Sequence, residues 1–430
     1  MLKPKIDSAQ QTALDKAQKL MPGGSNGNTI TMDVVIGGGR GAKVWDVSGN
    51  EYVDYALGSG PMLVGHAHPE VVEAVVEQVE HGSTFFGLND PAIRLAEEIV
   101  DAVPCAEQVR FTSTGSEATF FCMRVARAYR RRDKILKFEG GYHGMNDYAL
   151  MSMAPHDPPD FPRPKADSAG IPEALLSETL IVPFNDLKTT TEIIERHHDE
   201  LAGVILEPVQ RVLAPQPGFL EGLREVTRQF EVPLIFDEIV TGFRLAYGGA
   251  QEYYGVEPDL CAIGKVIGGG FPLAAVAGRK EIMDHFDADK VDRTTWVMQE
   301  GTLNGNPIAA AAGLATLSVL KREGVYERLF QVSEKIRSEL RRLLFEAEIP
   351  AQVSGVGPLF DVLFQEGEPI DYRSVMDRDL KKTYRLNRLL LERGVYKNDT
   401  KYYVSTAHGD EEIELTLDAL RSAIQVLSTD

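Results

Sequence analysis

The sequence predicts an α/β protein: a large unit with a mostly parallel sheet flanked by helices, plus a smaller unit. Two observations carry this. From about residue 105, short apolar runs alternate with helical patterns. Continuous apolar strands separated by helices belong to parallel sheets covered on both faces. The second observation concerns the chemistry-bearing residues. Thr114, Tyr142, Glu207, Asp237 and Lys265 all fall at or just beyond the end of an apolar run. Ligands of parallel α/β sheets bind there, outside the carboxyl ends of the strands.

The elements follow in order. Residues 8–20 are polar and helix-prone. Residues 25–41, rich in Gly, Asn and Thr, read as loop. Residues 42–47 and 51–55 read as two strands around the turn Ser48-Gly49-Asn50. Gly58-Ser59-Gly60-Pro61 is glycine-rich, and Gly65-His66-Ala67-His68-Pro69 opens a helix with Pro at an early position. His66 and His68 have no third ligand nearby, and zinc takes three or four, so no metal is expected. Residues 108–112 form a strand, 113–118 a polar turn, and a helix continues towards Arg132. Residues 134–138 form a strand leading into Gly140-Gly141-Tyr142-His143-Gly144. The stretch 151–180, rich in Pro and Asp, reads as a surface excursion. Strands are expected at 202–206, 233–236, 260–263 and 274–277. An Ala-rich helix follows Gly301-Thr302-Leu303-Asn304-Gly305-Asn306-Pro307. Residues 355–364 and 402–405 read as strands of the second unit, which the helix 411–428 closes.

A chain of 430 residues is too long for one small core and implies two or more packed units. Its 43% apolar and 25% charged residues are those of a soluble globular protein. A net charge of −19 argues against nucleic acid or an anionic membrane as partner, since both require basic surface. Cys105, Cys122 and Cys261 are scattered, which fits a reducing compartment. The first residues lack the apolar core of a signal peptide. No run approaches the roughly 18 apolar residues of a membrane span. The expected location is the cytoplasm.

The centre of the pattern is Leu260-Cys261-Ala262-Ile263-Gly264-Lys265, an apolar strand that delivers one lysine into a glycine cluster. Taking an ammonium out of water is costly, and burial lowers its pKa towards a nucleophilic amine. A strand-end lysine that snorkels to solvent is the bland alternative. A phosphate-binding P-loop is excluded, because Asp259 and Val266 stand where Gly and Ser or Thr are needed. Thr114-Gly115-Ser116 lies where a strand gives way to a helix, whose free N–H groups attract phosphate; a plain helix cap is the other reading. Tyr142 between glycines stacks on a planar ring or fills a core corner. Asp237 is a carboxylate at a buried strand end and is expected to face a cation, with Glu207 in support; alternatively the two acids pair with arginines or helix N-termini. One cofactor needs all these parts together. Pyridoxal phosphate requires a lysine, a carboxylate for its ring nitrogen, a ring stacker and a phosphate cradle.

At this point the sequence resembles the class III (fold type I) aminotransferases, within them the glutamate-1-semialdehyde 2,1-aminomutase-like branch. The resemblance covers nearly the whole chain. It rests on Met21-Pro22-Gly23-Gly24, Thr114-Gly115-Ser116-Glu117-Ala118, Gly141-Tyr142-His143-Gly144, Leu206-Glu207-Pro208, Ile235-Phe236-Asp237-Glu238, Gly264-Lys265-Val266-Ile267-Gly268 and Gly301-Thr302-Leu303-Asn304. It implies a pyridoxal-phosphate transferase fold with a large cofactor domain at 56–322. The smaller domain would be built from both termini, 1–55 and 323–430. It implies Lys265 as the catalytic lysine that holds the cofactor, Asp237 as partner of the ring nitrogen, and Tyr142 on the ring. Gly115 and Ser116 would bind phosphate, with Thr114, Glu207 and Ile239 also at the cofactor. Thr302 would reach the phosphate of a second subunit, which implies a homodimer.

The departures fall on the substrate side. Ornithine- and GABA-type members carry Glu where Val212 stands. The aminomutase branch carries an Arg after Pro-Gly-Gly, and the stretch 25–31 has none. Residues 395–401 replace a segment usually rich in Pro and Ser. The expected function is therefore an aminotransferase that moves an amino group between an amine or amino acid and a keto acid or aldehyde. An aminomutase or racemase of the same fold is the alternative. A non-catalytic binding protein on this scaffold would be expected to have lost Lys265 or Asp237. Lys401, Lys397 and Arg40 are candidates for gripping a substrate carboxylate.

Overall fold

A computed structural model describes residues 8–28 and 33–429. Thr29, Ile30 and Thr31 of the stretch after Pro-Gly-Gly therefore lie outside the described residues. The chain folds into two compact units. One runs to Pro69 and takes in Glu323–Glu368 and Asp377 onward; the other holds Glu70–Arg322 and Pro369–Met376. The first boundary lies beyond residue 55 because the backbone after it stays tied to the first unit. Tyr55 N donates to Tyr396 O (2.7 Å), Gly41 and His66 exchange hydrogen bonds, and Thr406 N donates to Leu63 O (2.9 Å).

The second unit is built on a seven-stranded sheet. In chain order its strands are β1 (Gln108–Thr112), β2 (Lys134–Phe138), β3 (Thr179–Val182), β4 (Leu201–Leu206), β5 (Leu234–Glu238), β6 (Leu260–Ile263) and β7 (Ala274–Gly278). Their order across the sheet is β1-β7-β6-β5-β4-β2-β3. Strands β2 to β6 pair in parallel, and β7 runs antiparallel between β1 and β6. Strands β4 to β7 are buried along their whole length. That is why they read as unbroken apolar runs without alternation. Strand β3 was hidden in the predicted surface excursion; the four residues Thr179-Leu180-Ile181-Val182 are too short a run to announce a strand.

The first unit carries two small sheets. One orders Ile36–Arg40, Lys43–Asp46, Glu51–Asp54 and Val395–Tyr396; the other orders Gln352–Val356, Leu359–Leu363 and Tyr402–Tyr403. Two expectations are corrected here. The segment from residue 36 is not loop but strand, its glycines leaving space for the Trp45 ring: a Cβ on Gly38 would lie 2.6 Å from it. Residues 355–364 are not one strand. The chain reverses at Gly357 (φ +46°) and Pro358, so that Gln352–Val356 and Leu359–Leu363 form a hairpin. His66 has an acid partner, Asp54 at 2.7 Å.

Among the three proposed carboxylate grips, Arg40 is exposed and Lys401 is buried, bridging Asn398 through its backbone. Lys397 is committed elsewhere. It is 1% exposed and holds Asp361 at 3.1 Å and Asn387 Oδ1 at 3.0 Å. Burial pushes the Asp361 carboxyl up, and Lys397 opposes this. A buried ion pair that loses one partner leaves an uncompensated charge, typically about 3–5 kcal/mol. Lys397→Met should therefore lower the unfolding free energy by about that amount in urea titrations. The double variant Lys397→Met, Asp361→Leu should recover most of the loss.

Candidate active site

The site is assembled where β1, β2, β4, β5 and β6 end. At the end of β5, Asp237 is 4% exposed. Its Oδ2 lies 2.7 Å from His143 Nδ1, and its Oδ1 accepts from Ile239 N at 3.1 Å. Burial pushes the His143 imidazole down to about 3, with the charge of Lys137 adding to the effect. A neutral imidazole carries one N–H, and the short contact to a carboxylate assigns it to Nδ1, which donates to Asp237. His143 Nε2 is buried and has no partner among the described residues. The partner of Asp237 Oδ2 is thus a neutral histidine.

The loop after β2 is pinned on several sides. Tyr142 N donates to Glu207 Oε2 at 2.9 Å. Thr119 Oγ1 donates to His143 O at 2.6 Å, and Met145 N donates to Ser116 Oγ at 3.2 Å. Gly144 (φ +89°) presses on Ser116; a Cβ there would lie 2.5 Å from Ser116 Oγ, so a side chain would drive the loop off the helix. Beneath it, Lys137 is buried and donates to the carbonyls of Gly141 (3.2 Å), Ala149 (2.7 Å) and Met151 (2.7 Å). Burial pulls its pKa down to about 7, with Arg211 adding to the effect. The charges of Asp167 and Glu207 oppose that pull.

After β1 the helix Gly115–Arg130 begins. Thr114 caps it, accepting from Glu117 N at 3.2 Å, while Glu117 Oε2 accepts from Ser113 N and Thr114 N. Among the described residues this capping box leaves the N–H groups of Gly115 and Ser116, at the positive end of the helix dipole, without an acceptor. Thr114 therefore serves as the cap, and its two successors remain to take an anion. Ile239 lies between this terminus and β6: Cβ atoms built on Gly115 and Gly264 would stand 3.0 and 2.9 Å from its Cδ1. Lys265 follows Gly264 in a short 3-10 turn, half-buried, with a left-handed backbone (φ +49°). A non-glycine residue held there is strained, and such strain concentrates at functional sites.

Eight of the nine residues singled out by sequence thus gather at one end of one sheet. Thr302 does not join them. It lines a separate cleft of about 410 Å³ with Phe85, Phe86, Leu88 and Asn304. Sequence reasoning passed over His143 and Lys137. The first stands beside Tyr142 in a quoted motif, but nothing in sequence spacing pairs it with Asp237. The second is a lysine within an apolar strand, which was a signal.

The model of the class III aminotransferases matches residues 25–421. The chain belongs to the class III aminotransferase family. It is 40% identical over 429 residues to a glutamate-1-semialdehyde 2,1-aminomutase of Persephonella marina, covering 96% of this chain and 97% of that one. An ω-transaminase from Sphaerobacter thermophilus superposes with a TM-score of 0.93 at 35% identity, covering 98% of each chain. A transaminase solved with pyridoxal phosphate bound superposes with a TM-score of 0.90 at 32% identity, covering 99% of each. This class III aminotransferase is a pyridoxal-phosphate-dependent enzyme. The residues present fit that cofactor: an open helix N-terminus for a phosphate, an aromatic ring on a pinned loop, a buried carboxylate and a lysine from the adjacent strand. No helix among the described residues is long and apolar enough to cross a membrane.

His143 yields a pH prediction for this class III aminotransferase. Its pKa is about 3 in the fold and 6.5 in the unfolded chain. Below 6.5 the unfolded state takes up a proton that the fold refuses, so the stability tied to neutral His143 is intact above 6.5 and lost progressively towards 3. At pH 5 the loss amounts to about 2 kcal/mol. The Tm advantage of wild type over His143→Asn should shrink as pH falls from 7 to 4.5; an advantage that is constant across that range would refute the assignment.

Proposed function

We propose that the enzyme is an intermolecular aminotransferase that moves an amino group between an amine or amino acid and a keto acid or aldehyde. The observation that carries this is the meeting of Asp237, His143, Glu207, Tyr142, Ile239 and the open helix terminus beside the strained Lys265. Pyridoxal phosphate, when bound, supplies the electron sink that lets the C–H bond beside the amino nitrogen ionise. Lys265 would hold the cofactor covalently; once displaced by the substrate amine, its Nζ would serve as the base that takes the proton from the carbon bearing that nitrogen and as the acid that delivers it on the cofactor side of the nitrogen. Asp237, steadied by His143 and Ile239 N, keeps the proton on the ring nitrogen. Tyr142 stacks on the ring and Glu207 fixes the Tyr142 backbone. The N–H groups of Gly115 and Ser116 bind the phosphate, with Thr114 capping the helix that presents them.

The aminomutase reading draws support from the names of the 40%-identical relatives. Against it stand the substrate-side departures: no Arg at 25–28, and Lys397, in the altered C-terminal segment, tied to Asp361. Val212 is buried, which supplies no acid gate of the ornithine type. A panel of amino donors, with pyruvate or 2-oxoglutarate as acceptor, separates the readings. An aminotransferase bleaches its visible absorbance with one donor and releases that donor's carbonyl product; an aminomutase isomerises its substrate with no net transfer. Lys265→Ala should fold, retain the cofactor without the covalent bond and lose turnover. Asp237→Asn should lose at least 10²-fold in rate, since it removes the charge that holds the ring proton.

We further propose a homodimer in which Thr302 reaches the phosphate site of the second subunit. Phe86 and Leu88, 75% and 93% exposed, border the cleft that Thr302 lines and form the kind of apolar patch that marks an interface. Sedimentation should give twice the chain mass. Thr302→Val should raise the cofactor Kd roughly tenfold, the effect of one hydrogen bond to a charged group, without splitting the dimer. Unchanged cofactor affinity would remove Thr302 from the site.

A further inference from the structure

We propose that Arg211 is the substrate-carboxylate receptor of this site, so that the preferred amino donor and acceptor carry a carboxylate. This rests on the aminotransferase reading above and names the substrate class it left open. Arg211 occupies the first central position of a tight reversal: Gln210 N donates to Leu213 O (3.0 Å) and Leu213 N donates to Gln210 O (2.8 Å). Its backbone is left-handed, φ +62°. Such a position favours glycine or asparagine, so a long side chain is kept there against local strain.

The turn presents the guanidinium to the site. Its Cζ lies 5.0 Å from the centre of the Tyr142 ring, and Nε donates to Gly140 O at 3.2 Å. Glu207 Oε2 lies 4.0 Å from Nε, beyond hydrogen-bonding range, and already accepts from Tyr142 N. The stem and Nε are therefore fixed, while the two terminal nitrogens have no hydrogen-bond partner among the described residues. The side chain is about two-fifths exposed. A pre-oriented guanidinium with both Nη groups open matches a carboxylate bidentately. Its charge is also felt by Lys137 and His143, which places it within the field of the same cluster.

A purely structural arginine would direct its Nη groups at carbonyls of its own turn; among the described residues the hydrogen bond of Arg211 runs from Nε to Gly140 O.

The test uses the holoenzyme and a matched pair of donors, 3-amino-3-phenylpropanoate and 1-phenylpropylamine, in which a methyl replaces the carboxylate. Arg211→Gln should raise KM for the first roughly ten- to hundredfold, the range for a lost charged hydrogen-bond pair. It should leave kcat and the KM for the second within about twofold, which is smaller than the loss of one net hydrogen bond. Arg211→Lys, which keeps charge but loses the fork, should fall between. Equilibrium binding of the unreactive 3-phenylpropanoate, followed by calorimetry, should weaken in Arg211→Gln by the same factor as KM. Equal losses for both donors, or unchanged 3-phenylpropanoate binding, would overturn the assignment. If wild type converts neither donor, the aminotransferase reading is in question, and the calorimetric comparison still decides for or against Arg211.

Discussion

A carboxylate sunk at the end of the sheet sets the terms for everything around it. Asp237 sits on β5 with parallel partners on both sides, almost out of reach of water. A buried acid with nothing to bond is expensive, more so than a single domain can tolerate lightly. The fold answers by bringing His143 to Oδ2 and Ile239 N to Oδ1. Bringing His143 there fixes the loop that carries it. The loop then needs its own support, which comes from Glu207 at the front, Thr119 and Ser116 at the side and the buried Lys137 behind. Tyr142 is thereby held on a rigid base although it lies in a loop. Pre-organisation of this kind is what a site needs to hold a planar ring in one orientation.

The second constraint is strand order. In the register of β5 and β6, Asp237 stands opposite Ala262 and Glu238 opposite Ile263. Neighbouring strands lie about 4.8 Å apart, so a carboxylate and a lysine three residues beyond its register partner emerge at adjacent points of one edge. No loop has to carry either group to its place. The departure comes only at Gly264, after which Lys265 turns into the left-handed region. That turn ends the strand at the lysine. Ile239, two residues past Asp237, fills the space against Gly115 and Gly264, so the helix terminus and the strand that delivers Lys265 share one apolar wall.

This arrangement explains which parts could be read from the chain. Strands β4, β5, β6 and β7 are buried on both faces, so their residues have no freedom to be anything but apolar, and the pattern announces them. The polar residue that ends each run is conspicuous for the same reason. What escaped are features whose cause is not local. Strand β3 is four residues long and identifiable only by its partner β2. The strand at Ile36–Arg40 is built of glycines because Trp45 lies over it, a contact invisible until the pairing is known. Lys397 looked like a free cation; only the fold brings Asp361 to it. His143 had no assigned partner because its partner is 94 residues away.

The same asymmetry bears on substrate choice. The residues proposed for the cofactor lie at strand ends and one helix terminus, where a change of residue would disturb the sheet as well as the proposed chemistry. Relatives with different named activities, an aminomutase at 40% identity and an ω-transaminase at a TM-score of 0.93, can therefore share this frame. In a reversal such as Gln210–Leu213 one residue can change without moving a strand. Arg211 stands in such a reversal, at a backbone position that would be less strained as glycine. Conformational preference works against an arginine at that point, and no ion pair closer than 4.0 Å offsets it. Within the chain Arg211 is held by Gly140 O and packs on Tyr142, which fixes its stem and leaves the terminal nitrogens for an anion on the substrate.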